Sequence, residues 1–216
     1  MKLAIWFDID CPNCFLAIKQ FYRLYHYMGY RVEEDDITFY PIRLNPLLET
    51  NTEKTYLEAF RSHSYLKRRK QEKAIKNFII LGQDEGIHFN FEKLFPLNTT
   101  KALQLIHYVQ KYEKDKLESV ILKLFENYFL HFKNLDDETF LIKFAQKLKL
   151  NTNKVKEMYK QDTFIQTLEN DAKRANRLGV ISVPLFIFNE DRALLGYYSD
   201  EKVKEMIVDA HLASKL

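Results

Sequence analysis

Little in this 216-residue chain punctuates it: glycine and proline number five each. That is too few for a loop-rich or many-turned all-β design, and it points to long helices with few tight connections. Cysteine is scarcer still, with two residues, so neither a multi-disulfide scaffold nor a four-cysteine zinc site is available. Long apolar runs are also missing. No stretch approaches the ~20 apolar residues of a membrane span. The apolar run at residues 3–7 falls short of the ~7–15 that a signal-peptide core needs, and Asp8 and Asp10 interrupt it. Neither sign of charge dominates: 33 basic against 30 acidic residues leave a formal net charge of +3. Such a balance argues against nucleic acid or a membrane surface as the main partner. The expectation is a cytoplasmic protein. In that compartment thiols are kept reduced, so two neighbouring cysteines call for a chemical explanation.

What the chain does have is apolar and aromatic bulk. Hydrophobic residues make up 46%, with 17 Phe and 13 Tyr, enough for a real core at this length. Residues 3–9 read as a buried strand. Phe15, Ile18, Phe21, Tyr22, Tyr25 and Met28 then recur at helical spacing, and Gly29 supplies a stop. Residues 37–44 read as a second strand that ends at Asn45-Pro46. Strand, helix and strand in about 45 residues form a βαβ unit with the usual right-handed crossover. From about residue 52 to 178 the periodicity is helical. The best stripe runs from Leu117 through Val120, Ile121, Leu124, Phe125 and Tyr128 to Phe132, and a later helix is closed by Gly179. Strand character returns at 184–188, a turn falls at Asn189-Glu190-Asp191, and 193–198 completes a hairpin before a last amphipathic helix. The predicted order is βαβ, a helical block, then αββα. One α/β domain at 1–50 and 165–216 is thus interrupted by an all-helical domain at 51–164.

Cys11-Pro12-Asn13-Cys14 stands where the first strand hands over to the first helix. A free thiol with pKa ~8.5 is mostly protonated at neutral pH, and the thiolate is the attacking species. The unpaired N–H groups and positive dipole end of a helix N-terminus favour a negative sulfur, and Pro12 fits a first turn because its missing N–H costs nothing there. The two-residue gap puts Cys14 within reach of Cys11. Cys11 is expected to be the exposed nucleophile and Cys14, one turn deeper, the resolving thiol. Asp8 and Asp10 work against this if they face the sulfur, and spacing leaves their direction open. Two other readings exist. Cysteines can be inert core residues. A zinc site needs about four ligands, whereas His26, His63, His88, His107, His131 and His211 are scattered.

On these residues the chain resembles the DsbA-like branch of the thioredoxin superfamily, and within it the FrnE-like cytoplasmic group. The resemblance spans nearly the whole chain. It includes Phe7-Asp8, the cysteine motif, Tyr40-Pro41 to Leu44-Asn45-Pro46, Asn98-Thr99-Thr100 and Glu126-Asn127-Tyr128-Phe129. It ends with Ala175 to Gly179, Val183-Pro184 and Leu195-Gly196. It implies a thioredoxin fold carrying an inserted helical domain, and dithiol exchange with Cys11 attacking and Cys14 resolving. Pro184 is implied as the cis-proline facing the motif, with Val183 offering its backbone to an extended substrate. Taken alone, Val183-Pro184 would be an ordinary trans proline opening a strand. Asn45 and Asn98 fall on family segments near the cleft and are candidate substrate contacts; the alternative is turn and N-cap residues. Two departures matter. Asn13 stands where relatives often carry Trp, and Ser182 where many have Gly.

The expected activity is reduction or isomerisation of protein or small-molecule disulfides, with no cofactor beyond the cysteine pair and no metal. A thiol recycling partner is implied, glutathione is left open as a co-substrate, and homodimerisation is left open. The runner-up classes are a glutathione-dependent transferase or isomerase of the kappa or 2-hydroxychromene-2-carboxylate isomerase type, and a non-catalytic adaptor. The run Lys67-Arg68-Arg69-Lys70 reads as a solvated helix face, and Trp6 as core.

Overall fold

The computed structural model describes residues 1–63 and 68–214, the side chains at 62 and 63 excepted. The first strand, β1 (Lys2–Phe7), leads into helix α1 (Pro12–Tyr27), and β2 (Asp36–Pro41) returns parallel to β1. Helices α2 (Tyr56–His63), α3 (Arg68–Asp84), α4 (Thr100–Tyr112), α5 (Leu117–Phe129), α6 (Glu138–Lys147), α7 (Thr152–Lys160) and α8 (Ile165–Arg177) follow. The chain then forms the antiparallel pair β3 (Leu185–Phe188) and β4 (Arg192–Leu195) and closes with α9 (Asp200–Ala213). The sheet order is β2-β1-β3-β4, with β3 antiparallel to β1. Lys67 of the basic run lies outside the described residues; Arg68 pairs with Glu72 along α3 at 3.2 Å.

Both glycine helix stops lie in the left-handed region, Gly29 at φ +80° and Gly179 at +69°, where a side chain would be disfavoured. Asn189 and Glu190 also have positive φ, +47° and +70°, as the tight turn of a hairpin requires. Several boundaries differ from expectation, and β4 ends at Leu195 rather than residue 198. β1 ends at Phe7 rather than residue 9, because a turn begins in which the Cys11 N–H reaches the Asp8 carbonyl. Its partner β2 ends at Pro41, and Ile42 extends the pairing through one bond to Phe7. The stripe drawn to Phe132 stops with α5 at Phe129, since the N–H groups of Leu130 and His131 both close on the Glu126 carbonyl and Phe132 turns to φ +54°.

What positions the motif is an aromatic core between α1 and the intervening helices. Phe15, one residue after Cys14, stacks on Phe125 at 5.1 Å and on Phe129 at 5.8 Å and meets Phe89 edge-on. Buried aromatics in such arrangements contribute beyond their area, about 0.5–1.5 kcal/mol per pair. Trp6 is buried and stacks on Tyr40 at 4.4 Å. The open edge of β2 is covered by α4: the Gln110 amide donates to the Phe39 carbonyl at 3.0 Å and accepts its N–H at 2.7 Å, removing an unpaired sheet edge.

Candidate active site

Cys11 is the N-cap of α1, with extended backbone (φ −92°, ψ 109°) and Pro12 in the first turn. Its sulfur accepts the Cys14 N–H at 3.2 Å, in the way a capping oxygen would. The helix geometry thus delivers a backbone donor of Cys14 to the Cys11 sulfur. Cys14 is wholly buried. Burial pushes its thiol well above the ordinary range and the nearby Cys11 adds to this, while the Asp8 backbone opposes it. Cys11 is less open than the sequence led us to expect, at 6% exposed. Its sulfur lies 3.9 Å from the Val183 carbonyl, next to the cis Val183–Pro184 bond. Tyr56 of α2 closes over the motif loop, its hydroxyl donating to the Asp10 carbonyl at 3.4 Å. Both thiols are free.

The turn that ends β1 brings the two aspartates together. Asp8 is 1% exposed. It accepts the Ile9 N–H at 2.8 Å and the Leu44 N–H at 2.7 Å. Burial raises its carboxyl to about 6, against the pull of these backbone donors and of Thr99 and Asp10 nearby. Asp10 is half-buried, with its Oδ1 fully buried and unpartnered among the described residues. Burial first, then the Asp8 charge, push its carboxyl well up. Both carboxyls therefore neighbour the dithiol.

The sequence matches the model of a DSBA-like thioredoxin domain over residues 2–208. The chain belongs to this DSBA-like family. No curated protein matches it in sequence. Among solved structures it is similar to a probable DsbA oxidoreductase from Streptomyces coelicolor, at 17% identity over 98% of this chain and 90% of that one, with a TM-score of 0.80. A 2-hydroxychromene-2-carboxylate isomerase is similar at 14% identity over 99% and 95%, TM-score 0.67. So is the cytosolic disulfide reductase DsbM from Pseudomonas aeruginosa, at 9% identity over 100% and 98%, TM-score 0.63, which has also been solved with GSH. At these identities the likeness shows the fold alone.

On this DSBA-like frame the other candidate residues take distinct places. Asn13 of the motif faces the loop after β4: a Cβ added at Gly196 would stand 3.5 Å from its Nδ2, and the Gly196 N–H bonds the Pro184 carbonyl at 2.8 Å. Asn45 lies on the loop that carries Leu44; its carbonyl accepts the Leu48 N–H at 3.1 Å and an Arg43 Nη2 bond at 3.4 Å. Asn98 makes turn and capping bonds, accepting the Thr100 N–H at 3.0 Å and donating to Glu49 at 3.2 Å. Its neighbour Thr99 is buried, leaves α4 uncapped by a side chain, and helps to hold the Asp8 carboxyl down. Tyr56 and Thr99 were not singled out from sequence. A threonine one residue before a helix reads as a cap, and nothing in spacing ties it to a residue some ninety positions earlier. Among the described residues no helix is long and apolar enough to cross a membrane.

Proposed function

We propose that the chain is a cytoplasmic thiol–disulfide oxidoreductase, a reductase or isomerase of protein or small-molecule disulfides, working through Cys11 and Cys14. The observation that carries this reading is the Cys14 N–H bonded to the Cys11 sulfur at the N-terminus of α1, with Cys14 sealed and Cys11 keeping the residual opening. The Cys11 thiolate attacks one sulfur of a substrate disulfide; a mixed disulfide forms and the other substrate sulfur leaves as a thiolate, which takes up a proton. Cys14 then loses its proton and attacks Cys11. The Cys11–Cys14 bond forms and the second substrate thiol departs, so the substrate gains two electrons and the protein loses two. A thiol donor restores the pair, and GSH, with which the P. aeruginosa reductase was solved, is a fitting candidate. Isomerisation uses the first step alone, with a substrate thiol displacing Cys11. Val183 and Pro184 flank the sulfur where an extended substrate would pair.

Trapping tests this directly. Cys14→Ala should accumulate covalent Cys11 adducts that mass spectrometry identifies, and Cys11→Ser should abolish them. Activity untouched by Cys11→Ser would leave an adaptor with idle thiols. The similarity to an isomerase fold supports a second reading, glutathione-dependent isomerisation, which predicts tight glutathione binding and activity that survives Cys14→Ser. Direction follows from the reduction potential. Pairs on this fold range from about −270 mV, reducing, to about −120 mV, oxidising. A value far above the glutathione poise would contradict a reductase.

A further inference from the structure

Thiol–disulfide exchange depends on access to the attacking sulfur as well as on its ionisation. Cys11 is 6% exposed, so an incoming disulfide meets a sulfur that is almost sealed. Three groups border the motif at this point. Cys14 is one, its N–H on the sulfur at 3.2 Å. The Val183 carbonyl, 3.9 Å away, is another. The third is Tyr56, whose hydroxyl donates at 3.4 Å to the Asp10 carbonyl, the oxygen of the peptide bond that leads into Cys11. Burial first, then the charges of Asp10 and Cys11, push that hydroxyl well above its ordinary range, in keeping with its place beside them.

These neighbours are held unequally. Cys14 sits in the buried motif helix. Val183 leads into a fixed strand, with the Gly196 N–H on the Pro184 carbonyl at 2.8 Å and Leu185 paired to Trp6. Tyr56 belongs to α2, where it is the single buried side chain among those described. The next helix, α3, buries only Gln71 and Gly82, and its far end is the anchored one: Glu85 takes Arg23 of α1 at 2.7 and 3.1 Å and the Tyr197 hydroxyl at 3.0 Å. A segment with so few buried contacts opens locally at low cost. Within Tyr56 the backbone is the firm part, its N–H on the Leu94 carbonyl at 2.7 Å. The ring rests on Phe91 at 5.5 Å and Phe60 at 6.1 Å, and the hydroxyl bond is longer than the ~2.5–3.0 Å of a strong O–H···O bond.

We propose that Tyr56 is the gate of Cys11: its ring, hinged on the backbone bond to Leu94, swings off the motif to admit a disulfide and closes again once the product leaves. The inference rests on the exchange reaction above and adds the step that precedes the attack. The gate takes no part in the bond changes; it sets how often the sulfur can be reached. Closed, it keeps small reagents from the thiol pair between turnovers.

The test is alkylation of the reduced protein by iodoacetamide, an uncharged reagent, from pH 6 to 10, with mass spectrometry reading Cys11 and Cys14 separately. Tyr56→Ala should raise the plateau rate of Cys11 at high pH, where the thiol is fully ionised, by about tenfold. That is the factor one aromatic contact and one hydrogen bond supply when they hold a site shut. Tyr56→Phe keeps the ring and loses the hydroxyl bond, and should raise the plateau about threefold. Cys14, sealed beneath the motif helix, should stay unlabelled in both. An unchanged plateau in Tyr56→Ala overturns the gate. So does a shifted midpoint with the plateau unmoved, which would make Tyr56 an electrostatic neighbour only. Should Tyr56→Ala not fold, or label Cys14 as fast as Cys11, Tyr56→Phe decides: a raised plateau with Cys14 unlabelled supports the gate, and an unchanged one overturns it. Exchange with a peptide disulfide is followed on the same samples. Faster alkylation with no exchange in either protein supports the gate and removes the exchange reading; exchange with equal plateaus overturns the gate alone.

Discussion

Keeping a charged carboxylate beneath the motif should be measurably expensive for the fold. Asp8 binds its proton more tightly in the folded protein, at about 6, than in the unfolded chain, at about 3.9. An acid whose value is raised by folding stabilises the native state when protonated. That contribution is complete below about pH 4 and disappears as pH climbs through about 6. The swing amounts to about 3 kcal/mol, a large share of the ~5–15 kcal/mol by which domains are stable. Asp8→Asn imitates the protonated side chain. Its fixed penalty, about 1–3 kcal/mol where an amide serves one of the Ile9 and Leu44 N–H groups less well than a carboxyl, does not vary with pH. Urea unfolding of both proteins between pH 4 and 7.5 cancels the titrating groups that do not feel the Asp8 charge; Asp10, which that charge pushes up, adds in the same direction. The difference in stability should move by about 2 kcal/mol or more in favour of Asp8→Asn over that window. A difference that stays level would mean that Asp8 titrates alike in both states, and the account of its burial would be wrong.

Three other perturbations follow from the packing. Gly82 is buried in α3, where a Cβ would stand 2.5 Å from the Ile87 carbonyl and 2.8 Å from the Phe89 ring. Gly82→Ala gains about 1 kcal/mol of helix propensity but overpacks by about 1–3 kcal/mol, so the melting temperature should fall; a rise would refute the contact. Gln110→Leu strips both bonds from Phe39 and should cost about 1–3 kcal/mol, with the Phe39 amide exchanging hydrogen faster. Unchanged protection would show that water or a neighbour covers the edge as well. Phe15→Ala empties the space against Phe125, Phe129 and Phe89 and should cost about 3–5 kcal/mol, read by denaturant midpoint. A loss below 1 kcal/mol would mean that the stack does not anchor the motif helix.

The parts of this molecule that could be read in the sequence are those encoded over a few residues. Alternation and helical spacing near the N-terminus placed β1, α1 and β2 in a βαβ unit, and the four residues from Cys11 to Cys14 located the dithiol because a strand gives way to a helix there. Glycine marked the ends of α1 and α8 for a local reason, the positive φ at Gly29 and Gly179. The carboxyl pair lay beyond that reach. In an extended strand Asp8 and Asp10 would share a face and their direction relative to the sulfur would be undetermined. Only the turn that stops β1 at Phe7, with the Cys11 N–H on the Asp8 carbonyl, sets them beside each other. What holds Asp8 comes in part from the Leu44 N–H, 36 positions away in sequence, while the Asn98 side chain bonds Thr100 and Glu49. A carboxylate is accepted in such a place only where backbone donors meet it, and here they come from the turn after β1 and the loop after β2. In this chain, therefore, the cysteine motif marks the candidate dithiol locally, and a segment distant in sequence helps to build the surroundings in which its second thiol sits.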